Sequence, residues 1–260
     1  MIERRASQKL AFLLGARMST SARLPKGKRN SVLHLFALRA QCGCGHPRSQ
    51  LLIANLNKQE FIIALKENQQ VFAVDLDEKI TTDLADYYEL VEKWNPRLHL
   101  VAPCSAEEFA VRHVLESLAI LEFLPENAAL IDVGTGAGLP SIPCLLARAD
   151  LRGSLIESNT KKAVFLREAL SKLNLQTRAE VLNSRFEQTD APAGFVTSRA
   201  LDKFVEKLPE IVDWAQWCEK LLLFGGEKVR DKLTELRLDF ATKLIPDSER
   251  RFVFVVEPKT

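Results

Sequence analysis

The apolar positions of this 260-residue chain change period twice. Through the first fifty or so residues, short apolar runs are interrupted by Arg, Ser, Gly and Pro without a sustained repeat. From Asn57 they recur at helical spacing. KQEFIIALKENQ reads as one helix and LDEKITTDLADYYELVEKWN as a second, with Ile80, Leu84, Tyr87, Tyr88 and Val91 near one stripe. Ser105-Ala106-Glu107-Glu108 has the form of a capping box and opens a third helix through Phe109, Val111, Val114, Leu118 and Leu121, which Pro125 ends. Beyond Pro125 the runs shorten. AALIDV, GSLIES, RAEVLN, GFVTSRA, KLLLFG and RFVFVVEP read as strands. Between them LPSIPCLLAR is a helix with prolines in its first turn, and NTKKAVFLREALSKL is one capped by Asn159 or Thr160. FVEKLPEIVDWAQWC is a third helix of this region, with a bend expected at Pro209. Strands alternating with helices specify an α/β fold, a parallel sheet covered on both faces, here preceded by an all-helical section. In such sheets ligands bind beyond the carboxyl ends of the strands, near the point where the strand order reverses.

Composition narrows this little. Hydrophobic residues at 47% and charged residues at 27% describe a soluble protein with a full core, and no apolar run is long enough for a membrane span. The net charge of +2 hides an asymmetry. Residues 1–50 hold ten Lys/Arg against the single acid Glu3, leaving 26 basic and 33 acidic residues in the remainder. An anionic partner of the main body must therefore meet a local basic patch. The cysteines, Cys42, Cys44, Cys104, Cys144 and Cys218, are odd in number and scattered, which reads as reduced, cytoplasmic thiol. Cys42-Gly-Cys44-Gly-His46 has no second ligand pair near it, so no metal is expected.

The strongest chemical signal is LIDVGTGAGLPSIP, Leu130 to Pro143, where Gly134, Gly136 and Gly138 link a strand to a helix. Glycines let backbone approach a ligand closely. The spacing is G-x-G-x-G, with Leu139 where a dinucleotide fingerprint has its last glycine, and no Lys-Ser/Thr follows as in a phosphate-cradling loop. Glu157 ends the next strand, where a carboxylate can accept both hydroxyls of a ribose. A nucleoside ligand without a pyrophosphate fits best, and S-adenosylmethionine is the commonest of these. A solvated strand end is the plainer reading of Glu157.

EKWNPRLHLV, RHVLESL, IDVGTGAGLPSIP, LIESNTKKAVFL, NSRFEQ and TSRA, in this order, resemble segments of the glucose-inhibited division protein B family. The resemblance covers roughly Gln59 to the C-terminus. It implies an S-adenosylmethionine-dependent, class I, Rossmann-like methyltransferase fold with a mostly parallel seven-stranded sheet behind a small helical section. The implied division is a basic, poorly ordered extension over 1–55, a helical section over 56–125 and the methyltransferase domain over 126–260. The implied activity is methyl transfer to N7 of a guanine in the 530 loop of 16S ribosomal RNA, by a cytoplasmic monomer acting on that RNA or on a small-subunit particle. Cofactor contacts are implied at Gly134, Gly136, Gly138, Leu139, Glu157, Phe186, Glu187 and Arg199. N7 carries a lone pair and no proton, so no acid or base is expected; Arg112, His113, Ser117 and Arg199 are the candidates for positioning the guanine. Lys161, Lys162, Arg167 and Arg185 are candidates for RNA phosphate. Two positions depart from the family: Ser141 replaces a usual glycine, and Gly225 stands where a lysine is usual. If that lysine holds phosphate, Lys228 must replace it here, and Gly225→Lys is expected to tighten RNA binding. A non-catalytic RNA-binding or ribosome-assembly factor, and a methyltransferase for another substrate, are the alternatives.

The basic N-terminal stretch is a poor signal peptide, since the apolar run Leu10–Ala16 is short and Arg17 closes it. It fits a transit peptide better; a basic RNA-holding arm and an overlong start assignment are the other readings. Poor order and no catalytic role are expected of it.

Overall fold

The computed structural model describes residues 47–190, 193–199 and 203–258, so the basic stretch and the Cys42–His46 motif lie outside the described residues. The chain divides into two units between Asn57 and Lys58, and the second carries the sheet and the candidate site. Helix α1 spans Pro47–Asn68, beginning ahead of the point where the apolar period becomes regular. Helix α2, Glu78–Leu98, starts where the Asp77 side chain accepts from the Ile80 N–H and ends at His99 in left-handed conformation. Leu84, Tyr87, Tyr88 and Val91 bury the expected stripe, while Ile80 stays half-buried at its edge.

Helix α3 opens as an α-helix at Ala106–Glu108, winds as a π-helix through Phe109–Leu115 and closes as an α-turn at Glu116–Leu118. Ser105 Oγ accepts from the Glu108 N–H at 3.0 Å, as the capping box requires, but the Glu108 carboxylate turns forward to Arg112. The helix stops at Leu118, short of Pro125, and a 3-10 turn at Leu121–Phe123 lets the buried Ile120 and Leu124 swing the chain into the sheet.

The sheet comprises β1 (Ala129–Val133), β2 (Arg152–Ile156), β3 (Ala179–Leu182), β4 (Phe195–Ser198), β5 (Lys220–Gly225), β6 (Phe240–Leu244) and β7 (Phe252–Val256). The helices between are α4 (Ser141–Ala147), α5 (Thr160–Lys172), α6 (Phe204–Trp214) and α7 (Glu227–Glu235). The strand order is β3-β2-β1-β4-β5-β7-β6, with β7 alone antiparallel to its neighbours. This is the mostly parallel seven-stranded sheet that the family resemblance implies. Asn159 caps α5 by accepting from the N–H groups of Lys161 and Lys162, which decides between the two candidate caps.

Alternate residues of each strand enter opposite cores. Leu222 and Phe224 pack with Leu84, Phe109, Leu145 and Phe165 on one face, whereas Leu221 and Leu223 pack with Leu208, Ile211, Val229 and Leu233 on the other. Burial on both sides explains why KLLLFG is a continuous apolar run. The sequence pattern did not locate α7 and β6: α7 buries only Val229 and Leu233, and β6 is a largely exposed edge strand. No helix among the described residues is long and apolar enough to cross a membrane.

Candidate functional site

The strand order reverses between β1 and β4, and the glycine loop leaves β1 at that point. Gly134, Gly136 and Gly138 all have positive φ (68°, 56° and 91°). A Cβ on Gly138 would lie 2.4 Å from the Ile142 side chain, so this glycine lets α4 close on the loop. A Cβ on Gly136 would meet only the Gly134 carbonyl, at 3.8 Å, so the space above the loop is open. Leu139, joined to Pro140 by a cis peptide bond, is buried where the loop enters α4.

Glu157 is no solvated strand end. It is 7% exposed, and its carboxylate accepts from the N–H of Gly136 at 3.0 Å and of Asn159 at 2.8 Å. A carboxylate offers about four lone-pair sites, so about two remain for a diol. Its backbone carbonyl is held by the Asn183 amide at 2.8 Å, which ties the end of β2 to the segment after β3. There, on a 3-10 turn at Phe186–Gln188, Phe186 is buried edge-on against Trp214 and Glu187 is exposed. Below the loop, Asp132 is fully buried and accepts from the Thr135 hydroxyl at 2.7 Å; burial pushes its carboxyl up to about 7. Open space over the glycines, a buried acid at the end of β2 and a buried ring after β3 fit an adenosyl group.

A second cluster gathers where α3 passes the end of β4. Arg199, immediately after β4, directs both terminal guanidinium nitrogens into α3. They donate to the carbonyls of Arg112 and His113, to Ser117 Oγ at 2.9 Å and to the Glu116 carboxylate at 3.1 Å. The structure thus brings together Arg112, His113, Ser117 and Arg199, the four residues proposed for guanine. Arg199 meets the other three as a brace, holding the carbonyls of the π-helical turn. Burial first, then the charges of Arg199 and Arg112, lower the His113 imidazole to about 4, so its ring is neutral at neutral pH. It packs against Phe109 with ring centroids 5.1 Å apart. The Arg112 side chain is half-exposed and pairs with Glu108 at 2.8 Å.

Three residues outside the sequence-derived set belong to this region. Tyr87, taken from the sequence only as part of an apolar stripe, donates its hydroxyl to the Ala137 carbonyl at 2.9 Å and so ties α2 to the glycine loop. Glu116 is buried and pairs with Arg199 and with Arg251, which precedes β7. Burial holds its carboxyl above the usual range against the opposing pull of Arg199, Arg251 and Arg112. The available signal was a charged residue inside the apolar face of α3; nothing local marks Arg251. Of the basic candidates, Lys161, Arg167 and Arg185 are exposed and Lys162 is half-buried, but Arg167 reaches back to the Val181 carbonyl, away from the loop.

Gly225 has a packing reason. A Cβ there would sit 2.4 Å from Val229 Cγ2 and 2.9 Å from Val229 Cβ, so α7 packs where a side chain would start. The expectation that Gly225→Lys simply restores an RNA contact is corrected by this clash.

The family model GidB, described as rRNA small subunit methyltransferase G, matches residues 80–252. The chain belongs to this family. The match begins in α2 and ends at the first residue of β7, so it takes in both clusters and the first six strands of the sheet. Ribosomal RNA small subunit methyltransferase G of Neisseria gonorrhoeae (strain NCCP11945) is 36% identical over 153 residues, covering 58% of this chain and 70% of the relative. The protein of the same name from Desulfotalea psychrophila is 33% identical over 205 residues, covering 70% of this chain and 94% of the relative. Among solved structures, the human methyltransferase 10 domain containing protein aligns with a TM-score of 0.46 at 12% identity, over 68% of this chain and 98% of that one.

Proposed function

We propose that the chain transfers a methyl group from S-adenosylmethionine to N7 of a guanine in the 530 loop of 16S ribosomal RNA. The observation that carries this reading is the family match over the π-helical turn as well as the glycine loop, because the turn holds the residues on the substrate side. When bound, S-adenosylmethionine supplies an electrophilic methyl group on a sulfonium. Glu157 would hold the ribose, Gly134 to Leu139 would let the backbone close on the cofactor, and Phe186 and Glu187 would contribute to the adenine end of the site.

On the substrate side Arg112 and His113 face the guanine, with Ser117 and Arg199 fixing the turn that carries them. Guanine N7 has a lone pair ready for attack, so the residues have no proton to remove. Their contribution is to place N7 in line with the methyl group, the source of rate that orientation supplies. A neutral His113 suits this role, since it adds no charge beside a purine that becomes cationic. Affinity for RNA comes from basic residues on the face where the parallel strands end, among them Lys161, Lys162 and Arg185. Gly225 lends no support to a non-catalytic reading, because Val229 accounts for it.

Mapping N7-methylguanine in small-subunit rRNA from cells with and without this protein tests the reading. The modification should vanish from one position in the 530 loop and return when the gene is restored. Unchanged modification would overturn it.

A further inference from the structure

We propose that Arg251, in the turn between β6 and β7, is a substrate-binding residue that contacts a phosphate of the RNA beside the target guanine. The inference rests on the methyltransferase reading above. It starts from the strand order. β7 runs antiparallel to β5, and Phe252, its first residue, pairs with Gly225, the last residue of β5. The entry to β7 therefore lies on the face where the parallel strands end, the face of the candidate site. β7 also lies two places beyond β4, on the side away from β2 and Glu157. Arg251 is thus placed toward the substrate and away from the adenosyl group.

The charges around Glu116 point the same way. Its side chain is 2% exposed and its carboxylate holds two guanidiniums, Arg199 at 3.1 Å and Arg251 at 2.7 Å. Arg112, on the same helical turn, is matched by Glu108. Three arginines thus share two carboxylates, and one positive charge is in surplus. Arg199 cannot present it outward, since that side chain is 15% exposed with both terminal nitrogens turned into α3. The Arg251 side chain is 35% exposed, more than twice the exposure of Arg199. The surplus charge therefore emerges at Arg251. It does so next to the end of β5, where Val229 leaves Gly225 no room for a cationic side chain. A phosphodiester is the anion that a guanine within an RNA brings to this position. Glu116 anchors Arg251 to the same turn that carries Arg112 and His113, so phosphate and base are read in fixed register.

The test is a salt titration of binding to a protein-free transcript of the small-subunit rRNA, with the full chain as wild type, Arg251→Gln, Arg251→Lys and Arg152→Gln. Arg152 is exposed at the opposite end of the sheet and serves as the control. Arg251→Gln should lower the slope of log affinity against log salt by roughly 0.7–0.9, the share of one phosphate contact. Arg251→Lys and Arg152→Gln should keep the wild-type slope, and cofactor affinity should be the same in all four. Equal slopes for wild type and Arg251→Gln overturn the proposal. So does a joint loss of cofactor and RNA affinity in Arg251→Gln, which would make Arg251 a strut of the fold. A second measurement uses the unaltered chain: RNA should protect Arg251 from an arginine-specific dicarbonyl reagent, and S-adenosylmethionine alone should not. Absence of protection by RNA overturns the proposal as well. Failure of the wild type to form N7-methylguanine is a different outcome and counts against the methyltransferase reading itself.

Discussion

At Glu157 two backbone N–H groups fix a carboxylate that solvent scarcely reaches, and one of them belongs to the glycine loop. Glu157→Ala removes the proposed ribose acceptor and the anchor of that loop together. Calorimetry should show S-adenosylmethionine binding weakened by about 1–3 kcal/mol, the scale of lost hydrogen bonds to a charged group. His113 makes a prediction about pH. An unfolded imidazole gains its proton near pH 6.5, the folded one only near 4. Between those values the unfolded state binds more protons, so the stability contributed by neutral His113 is lost as pH falls from 6.5 to 4. The loss is about 3 kcal/mol when complete. Asp132 acts in the opposite sense, because a carboxyl raised to about 7 favours the folded state at low pH and loses that contribution as pH rises through 7. The His113 effect is therefore read as the difference in unfolding free energy between wild type and His113→Gln, which should shift against wild type as pH falls through that window. An NMR titration midpoint near 6.5 for His113 would mean that the ring is solvated.

At the scale of elements, the π-helical turn shapes the proposed substrate side. Its i→i+5 winding alters which side chains stack along α3. Arg112 and Glu116 are four apart, the spacing of a surface ion pair, yet Arg112 pairs backward to Glu108 and Glu116 turns inward to Arg199 and Arg251. The junction of β5 and α7 is packed as closely. Gly225→Lys must displace Val229, whose Cβ lies 2.9 Å from the position of the added carbon. Overpacking of this kind costs about 1–3 kcal/mol. Chemical denaturation should show the variant less stable by that amount, and equal stability would show that α7 yields freely.

For the whole molecule, the working unit is the one that begins at Lys58. The family match, over 80–252, lies entirely inside it. A chain shortened to start at Leu51 should keep the wild-type affinity for S-adenosylmethionine and the wild-type rate on rRNA. Loss of cofactor binding in the shortened chain, read by calorimetry, would show that residues 1–50 support the fold.

The helix start at Ser105, the one at Asn159 or Thr160, the change from helical to strand period after Pro125, and the glycine loop with Glu157 were all legible in the sequence. Each is a local matter: a cap bonds two or three residues ahead, a buried face imposes its period, and a loop with three residues at positive φ favours glycine. The pairing of Gly136 with Glu157 was within reach for the same reason, since one βαβ unit joins them. What the local pattern could not carry are contacts between distant parts of the chain. Tyr87 reaches Ala137 across 50 residues, and Arg199 reaches the π-helical turn across more than 80. Arg251 meets Glu116 only because β7 returns antiparallel beside β5, and Gly225 is explained only by the helix that follows it. These depend on which strands become neighbours and how helices close on them. That is decided when both faces of the sheet are buried at once, and no window of sequence contains it.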